Sequence, residues 1–184
     1  MSKSKLMMIL FVASEALFFI GLFIAYVSYY NKVSPGPASA QILDAKRTGI
    51  FTLALLASSF TLYRAKKGLL RKDIRSLKIW LGATIVLGIT FLIGQATEYM
   101  DLLKHDVTIS RNVFGSSFFT LTGFHGLHVL LGLIVLSILF GLSWAGDFEG
   151  PESPAVESAE IYWHFVDAVW IVVFSVVYLI PHIA

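Results

Sequence analysis

Polar side chains that could bind a metal, a haem or a proton occur inside long apolar stretches of this sequence. Placing an ionisable group at bilayer depth costs about 3 kcal/mol of insertion free energy. Several such groups in one small chain therefore indicate that they share a function inside the membrane. The candidates are Glu15, Gln95, Glu98, His125, His128, Trp163, His164 and Asp167.

A metal or haem site is the sharpest chemical hypothesis for these residues. His125 and His128 are three apart on one helical face, and His164, Glu98 and Asp167 are able to approach from other helices. Histidines that share a helix cannot supply opposite axial ligands, and no Glu-x-x-His pair is repeated as di-iron bundles require. We therefore expect no catalytic, cofactor-binding or metal-binding residue in this chain.

The favoured interpretation of Gln95, Glu98 and Asp167 is a buried hydrogen-bonded network that fixes the register of the helices. Pairing of Glu98 with His125, and of His164 with Asp167, would suit such a network. Glu15 leaves two interpretations open. It is either a protonated carboxyl buried among aromatic side chains, or a group beside a lipid head or a proton path.

Composition places the chain among membrane proteins. Hydrophobic residues make up 57%, charged residues 14%, and the mean hydropathy is +0.77. The net charge of +2 includes seven of the fourteen Lys and Arg within residues 64–78, a short run that does not resemble a nucleic-acid-binding face. That run is a topology signal or a site for anionic lipid heads. With no cysteine, thiolate ligands and nucleophiles are excluded.

Five stretches are long enough to form transmembrane helices, so we predict an all-α bundle in a single membrane domain, residues 1–184. Nine bases fall on one side of these spans and five on the other, which predicts an inside N-terminus and an outside C-terminus. The second span is the shortest. The predicted spans are about 6–30, 48–64, 77–100, 116–143 and 161–183.

Helical spacing predicts which faces look inward. Ser153 is the expected N-cap of the last helix, with Pro154 in its first position and Glu157 in its first turn. The expected inward stripes are Thr84, Gly88, Phe91, Gln95 and Glu98 on the third span, Thr122, His125, His128 and Gly132 on the fourth, and Glu160, His164, Asp167, Ile171 and Phe174 on the fifth.

Several long motifs resemble subunit III of the haem-copper terminal oxidases. Met7 to Phe11 with Ser14, Glu15, Phe18 and Phe19 is similar to one signature helix of that family. The other motifs are Gln95-Ala96-Thr97-Glu98-Tyr99, Gly115-Ser116-Ser117-Phe118-Phe119, Thr122 to Val129 and Tyr162 to Trp170. The resemblance covers nearly the whole chain and is to the short, five-helix bacterial form.

The resemblance implies a multi-pass subunit of a proton-pumping oxidoreductase in the bacterial plasma membrane, active in aerobic respiration. Such a subunit carries no cofactor, since haem and copper belong to the partner catalytic subunit I. Its implied roles are to stabilise that subunit and to support proton uptake and oxygen access. Other oxidase subunits, membrane phospholipids and a respiratory supercomplex are the implied partners, with no nucleic acid.

The resemblance also assigns residues. Glu15 matches a buried carboxylate near a lipid-filled cleft, and His125, His128, Trp163 and His164 match a polar cluster around bound phospholipid. The first two helices of the long family form, which make one wall of that cleft, have no counterpart in this sequence. The loop after the fourth span also has no Lys or Arg to hold a phosphate, and Trp144 alone is placed at that interface.

Three alternatives remain open at this point, as does the choice between cytochrome c and quinol as electron donor. An accessory subunit of a nitric oxide reductase shares the sequence pattern. A bundle cytochrome would use His164 with one of the two histidines of the fourth span. A stand-alone proton-linked carrier would use Glu15, Glu98 and Asp167.

Overall fold

The described part of the chain is entirely helical, as the sequence predicts. A computed structural model describes residues 3–30, 44–104, 113–148, 150 and 153–179. Within these ranges there are five α-helices and no strand. They are α1 (Lys3–Tyr30), α2 (Ala45–Leu70), α3 (Ile74–Lys104), α4 (Val113–Ala145) and α5 (Pro154–Phe174), and α5 continues through a π-helical turn, Ser175–Leu179.

Among the described residues, four helical segments are long and apolar enough to cross a membrane: Lys3–Ser28, Ile74–Lys104, Gly115–Ala145 and Pro154–Leu179. Helix α2 does not meet that criterion, although its 26 residues extend about 39 Å. Its composition explains the difference, because it carries hydroxyl groups along its length and bases near both ends. A fifth crossing therefore stays a prediction. The bases of α2 are Lys46, Arg47, Arg64, Lys66 and Lys67.

Contacts near the helix ends show that consecutive helices run in opposite directions. Lys66 near the end of α2 pairs with Glu160 near the start of α5, and Gly82 near the start of α3 faces Phe140 near the end of α4. Lys5 Nζ lies 2.8 Å from Glu157 Oε1, which joins the start of α1 to the start of α5. Arg47 lies 2.7 Å from Asp101, which joins the start of α2 to the end of α3. We call the end where α1, α3 and α5 begin the basic end, and the other the opposite end. Helix α2 thus extends between the same two ends as its neighbours.

The turn between α2 and α3 is tight, and these two helices pack closely as a hairpin. The Asp73 amide donates to the Gly68 carbonyl at 2.9 Å, while the Asp73 carboxylate caps α3 by accepting from the Ser76 amide at 3.0 Å. Lys72 takes the left-handed conformation at φ 57°. A Cβ at Gly68 would meet the Leu77 amide nitrogen at 3.0 Å, so this crossing favours glycine.

Helices α2, α3, α4 and α5 form a closed four-helix arrangement, and α1 packs outside it against α4 and α5. Trp163 of α5 occupies the centre and is fully buried. Its ring lies between Gly88 of α3 and Gly132 of α4, where an added Cβ would come within 3.0 Å and 2.7 Å of ring carbons. Its indole Nε1 donates to Ser58 Oγ of α2 at 2.9 Å. One side chain of α5 therefore contacts the other three helices of this arrangement.

The predicted inward stripes of the third and fourth spans are confirmed, except that Glu98 is only half-buried. On α5 the prediction was wrong for His164 and Ile171, which are exposed. The inward face of α5 is instead centred on Trp163 and Trp170, because burying two large indole rings removes more apolar surface than a polar stripe would. The N-cap is confirmed, with the Val156 amide 3.4 Å from Ser153 Oγ.

We predict that Gly132→Ala destabilises the protein by about 1–3 kcal/mol, because the new methyl group overlaps the Trp163 ring. Gly141→Ala is the matched control, since nothing lies within 4 Å of its Cβ position on the same helix. The measurement is the temperature at which the detergent-solubilised protein loses its monodisperse gel-filtration peak. Equal midpoints for the two variants would contradict the role given to Trp163.

We predict that α2 crosses the bilayer, which single cysteines can test because the chain has none of its own. Lys46→Cys and Arg71→Cys lie at exposed positions at the two ends of α2. A membrane-impermeant maleimide added to intact cells should label Lys46→Cys alone, and Arg71→Cys only after lysis. Labelling of both positions from one side would show that α2 does not cross.

Candidate functional site

Glu15 of α1 and His128 of α4 form a buried pair. Glu15 Oε2 lies 3.0 Å from His128 Nε2, and the side chains are 24% and 10% exposed. The other ring nitrogen, His128 Nδ1, lies 2.7 Å from the Phe124 carbonyl one turn earlier. Phe19 packs its ring edge-on against the imidazole at 5.0 Å between centroids. The pair is therefore held between α1 and α4 by both hydrogen bonds and aromatic packing.

The hydrogen bonds of His128 fix how many protons the pair carries. The Phe124 carbonyl can only accept, so Nδ1 must hold a hydrogen. The bond between Nε2 and Glu15 then needs one further proton, which sits either on the carboxyl or on the imidazole. The pair is neutral overall in both cases. A proton can thus move within the pair without placing a net charge inside the bilayer.

A second cluster, the Ser59 bridge, consists of Ser59, His164 and Asp167. Ser59 Oγ of α2 lies 2.8 Å from His164 Nδ1 and also hydrogen bonds to Asp167 Oδ2. Towards the basic end, Lys66 Nζ lies 2.5 Å from Glu160 Oε2. The predicted association of His164 with Asp167 is therefore present, but a serine from another helix mediates it. Polar contacts between α2 and α5 continue along about two turns of α5.

A third cluster, the Glu98 cluster, lies at the opposite end and consists of Thr48, Glu98 and Tyr178. The Glu98 carboxylate accepts from Thr48 Oγ1 at 3.0 Å and from the Tyr178 hydroxyl at 2.6 Å. These two bonds tie the start of α2 and the end of α5 to α3. A cavity of about 40 Å³ beside Glu98 has room for about three waters. The Arg47–Asp101 ion pair lines its rim.

Gln95 joins α3 to α4 one turn before Glu98. Its Nε2 donates to the Thr122 carbonyl at 2.7 Å and lies 3.2 Å from the Tyr99 hydroxyl. The Tyr99 hydroxyl in turn lies 2.7 Å from Thr122 Oγ1. The amide group packs against Gly126, where a Cβ would come within 2.9 Å of Gln95 Oε1. Gln95 therefore sets how close α3 and α4 approach.

His125 and Trp163 lie in the core and do not reach the surrounding lipid. Both are fully buried. His125 stacks on Trp170 with ring centroids 4.8 Å apart, and within the described residues neither of its ring nitrogens has a hydrogen-bond partner. The resemblance assigns both residues to a lipid-contacting cluster, and their burial corrects that assignment. The predicted pairing of His125 with Glu98 is also not formed, because Glu98 bonds to Thr48 and Tyr178.

Within the described part of the chain, the histidines do not converge on a haem or copper centre. The His128 nitrogens are engaged by Phe124 and Glu15, and His164 Nδ1 is engaged by Ser59. His125 is enclosed between Trp170 and Phe91. No three His, Asp or Glu side chains in the described ranges stand close enough together to share a metal ion. The polar groups pair across helices in separate places and do not converge on one centre.

Sequence reasoning missed the partners supplied by α2 and by the end of α5. Thr48 belongs to the Glu98 cluster and Ser59 to the Ser59 bridge. Ser58 accepts from the Trp163 indole, and Thr52 accepts from the Trp170 indole, each at 2.9 Å. The signal was present in the sequence, because small hydroxyl residues recur at helical spacing along the weakest predicted span. Such residues are enriched where transmembrane helices pack together. Tyr178 carried no comparable signal.

Comparison with known proteins agrees with the resemblance. The sequence matches the family described as cytochrome c oxidase subunit III over residues 2–181. It is 40% identical to cytochrome c oxidase subunit 3 of Synechocystis sp. over 94% of this chain and 73% of that protein. It is 35% identical to cytochrome c oxidase subunit 3 of Thermostichus vulcanus over 94% of this chain and 85% of that protein. A probable cytochrome c oxidase subunit 3 of Mycobacterium bovis is 38% identical over the same shares.

Proposed function

The chain belongs to the cytochrome c oxidase subunit III family, and we propose that it is the non-catalytic membrane subunit supporting the catalytic subunit I of a proton-pumping terminal oxidase. The observation that carries this proposal is the family match across residues 2–181, which includes every cluster described above. Haem and copper then reside in subunit I, and the side chains of this chain hold helices together.

The exposed surface supports docking against other oxidase subunits. His164 is 45% exposed at its side chain, about 15 Å along α5 from Pro154. A polar imidazole at that depth is costly against hydrocarbon and is normally covered by protein or polar groups. On α2, Ser59 contacts His164, and its helix neighbours Leu56 and Phe60 are exposed apolar side chains. We assign this face to contact with subunit I.

The Glu15–His128 pair is the candidate for proton uptake. Its two ionisable groups are already hydrogen-bonded, so a proton can pass from one to the other. The pair is also partly open to the outside of the bundle, where a proton can enter or leave. Contact with a phospholipid head is proposed for Glu15 and His128, whereas His164 belongs to the face assigned to subunit I. His125 and Trp163 position their neighbours and take no part in lipid contact, because both are enclosed.

The proposed location is the plasma membrane of a bacterium, with five crossings and an inside N-terminus. The alternating helix directions support five crossings, since α2 extends between the same two ends as the four more apolar helices. The base-rich end supports the orientation, because short loops rich in Lys and Arg face the cytoplasm.

Purification through a tag on this chain, from its native membrane in mild detergent, tests the assignment. We expect a complex that shows haem bands in the reduced-minus-oxidised spectrum, consumes oxygen and contains a larger subunit. Haem retained by the chain alone would indicate a bundle cytochrome. A haem complex that turns over nitric oxide in place of oxygen would indicate a reductase subunit, and transport by the haem-free chain in liposomes would indicate a carrier.

We predict that Glu15→Gln shortens the active lifetime of the oxidase during turnover while haem and copper content stay unchanged. The amide can no longer share a proton with His128, so proton supply to the catalytic subunit falls. The measurement is oxygen consumption followed over many turnovers, with proton uptake recorded in parallel.

Two further variants sharpen the Glu15 experiment. His128→Gln should reproduce the effect, and combining it with Glu15→Gln should add little, because the two residues act as one unit. Asp101→Asn, at the opposite end, is the control that should leave the lifetime unchanged. A normal turnover lifetime in Glu15→Gln would remove the proposed role of the pair.

A further inference from the structure

An apolar groove runs along the outer surface between α3 and α4. Its volume is about 640 Å³, and it opens to the surroundings of the bundle. Several of its side chains are half exposed, such as Ile93 at 58% and Ile134 at 49%. The groove is lined by Ile89, Leu92, Ile93 and Ala96 of α3 and by Leu130, Leu133, Ile134, Ser137 and Ile138 of α4.

A cation and an indole lie on the same two helix faces, nearer the basic end. Lys78 Nζ of α3 lies 4.3 Å from the ring centre of Trp144 of α4. Lys78 and Ala96 are eighteen residues apart, which is five turns, so they share one face of α3. Trp144, Ser137 and Leu130 follow one another at seven-residue spacing on α4. The two faces that form the groove therefore lead to the Lys78–Trp144 contact.

One end of the groove suits one leaflet of a bilayer. Ser137 and Ile138 line the end nearer the basic end, about 9 to 11 Å along α4 from Trp144 at 1.5 Å per residue. Half of the hydrocarbon core is about 15 Å thick. Tryptophan and lysine are typical of the boundary between that core and the lipid heads. When the Lys78–Trp144 contact is at headgroup depth, this end of the groove is therefore at acyl-chain depth in the same leaflet, and the far end, at Ala96 about 27 Å along α3 from Lys78, lies beyond the midplane.

The positive charge of Lys78 is available to bind an anion. None of the carboxylates in the described part of the chain lies within ion-pair distance of Lys78, whose contact there is the Trp144 ring. The same end of the bundle holds Arg75 and the bases that close α2, so a phosphate is attracted over a wider area. The loop after α4 has no Lys or Arg to hold a phosphate, and Lys78 of α3 can provide that positive charge.

The lining favours a lipid chain over a protein helix. Transmembrane helices pack on small residues that let backbones approach closely. Of the nine side chains that line the groove, only Ala96 and Ser137 are small, and the other seven are Ile or Leu. Branched side chains of this kind leave a furrow that a flexible acyl chain can follow.

We propose that this groove binds one phospholipid of the leaflet at the basic end, with its phosphate on Lys78 beside Trp144 and an acyl chain between α3 and α4. The site is separate from the Glu15–His128 pair, which lies between α1 and α4. It requires only that the bundle spans a membrane and does not depend on the reaction that the complex carries out. The lipid would extend the packing of α3 against α4 at depths where their side chains leave a gap.

The experiment places a photoreactive benzophenone amino acid at Ile138, which is 56% exposed in the end of the groove nearer Trp144. The complete complex is then washed extensively with detergent before illumination. The expected result is a covalent adduct on this chain with the mass of a phospholipid. A benzophenone at Leu53 of α2, which is 67% exposed but outside the groove, should give no such adduct after the same washing.

Substitutions of Lys78 then test the headgroup contact. Lys78→Gln should lower the yield of the lipid adduct about fivefold, which corresponds to about 1 kcal/mol for one base near the membrane surface. Lys78→Arg should retain the adduct, and Lys72→Gln, at the same end but away from the groove, should leave it unchanged. Co-purification of each variant with the complex verifies that it folds.

Three results would overturn the proposal. An adduct from Ile138 to another protein chain would make the groove a helix-docking surface. The absence of any adduct after washing would mean that no lipid is held there. A lipid adduct that is equally strong in Lys78→Gln would show that the phosphate is not bound at Lys78.

Discussion

The position of Trp163 between two glycines is the packing constraint on which the bundle depends. The indole ring contacts α3 and α4 at Gly88 and Gly132, and its nitrogen donates to Ser58 of α2. Helix–helix association inside a membrane gains little from the hydrophobic effect, so close packing and interhelical hydrogen bonds must provide it. Trp163 of α5 supplies the close packing to α3 and α4 and the hydrogen bond to α2. The rotation of each helix around its own axis follows from this contact, and the rotation decides which polar groups meet.

The polar clusters follow from that arrangement and share one design. Each joins groups from different helices, and each gives a carboxyl group a hydrogen-bonding partner: an imidazole for Glu15, two hydroxyls for Glu98 and a lysine for Glu160. Buried polar groups of this kind specify register at modest cost when they are paired. The same pairing engages both ring nitrogens of His128 and the Nδ1 atom of His164. The Glu15 pair joins two ionisable groups directly, which is why the proposed proton role is placed there.

The sequence was sufficient for the helices, the N-cap at Ser153 and the inward faces of α3 and α4, because each of these depends on local spacing. It was insufficient wherever an outcome depends on which helices are neighbours. Ser59 links His164 to Asp167, Tyr178 donates to Glu98, and Lys78 contacts the Trp144 ring. Each of these contacts joins two helices through residues that are far apart in the sequence. On α5 the periodicity offered two adjacent faces, and the larger apolar area of the tryptophans decided between them. Helical period alone carries no information about that competition.

The peripheral position of α1 has a consequence for biosynthesis. Of the five described helices, α1 leaves the ribosome before the others, and the residue that pairs with Glu15 follows 113 positions later. At about 5–20 residues per second, that interval lasts about 6 to 23 s. The carboxyl of the nascent chain therefore reaches the translocation machinery before its histidine has been made, and it needs another polar partner until α4 and α5 arrive. The outermost of the described helices thus waits for the core on which it will pack.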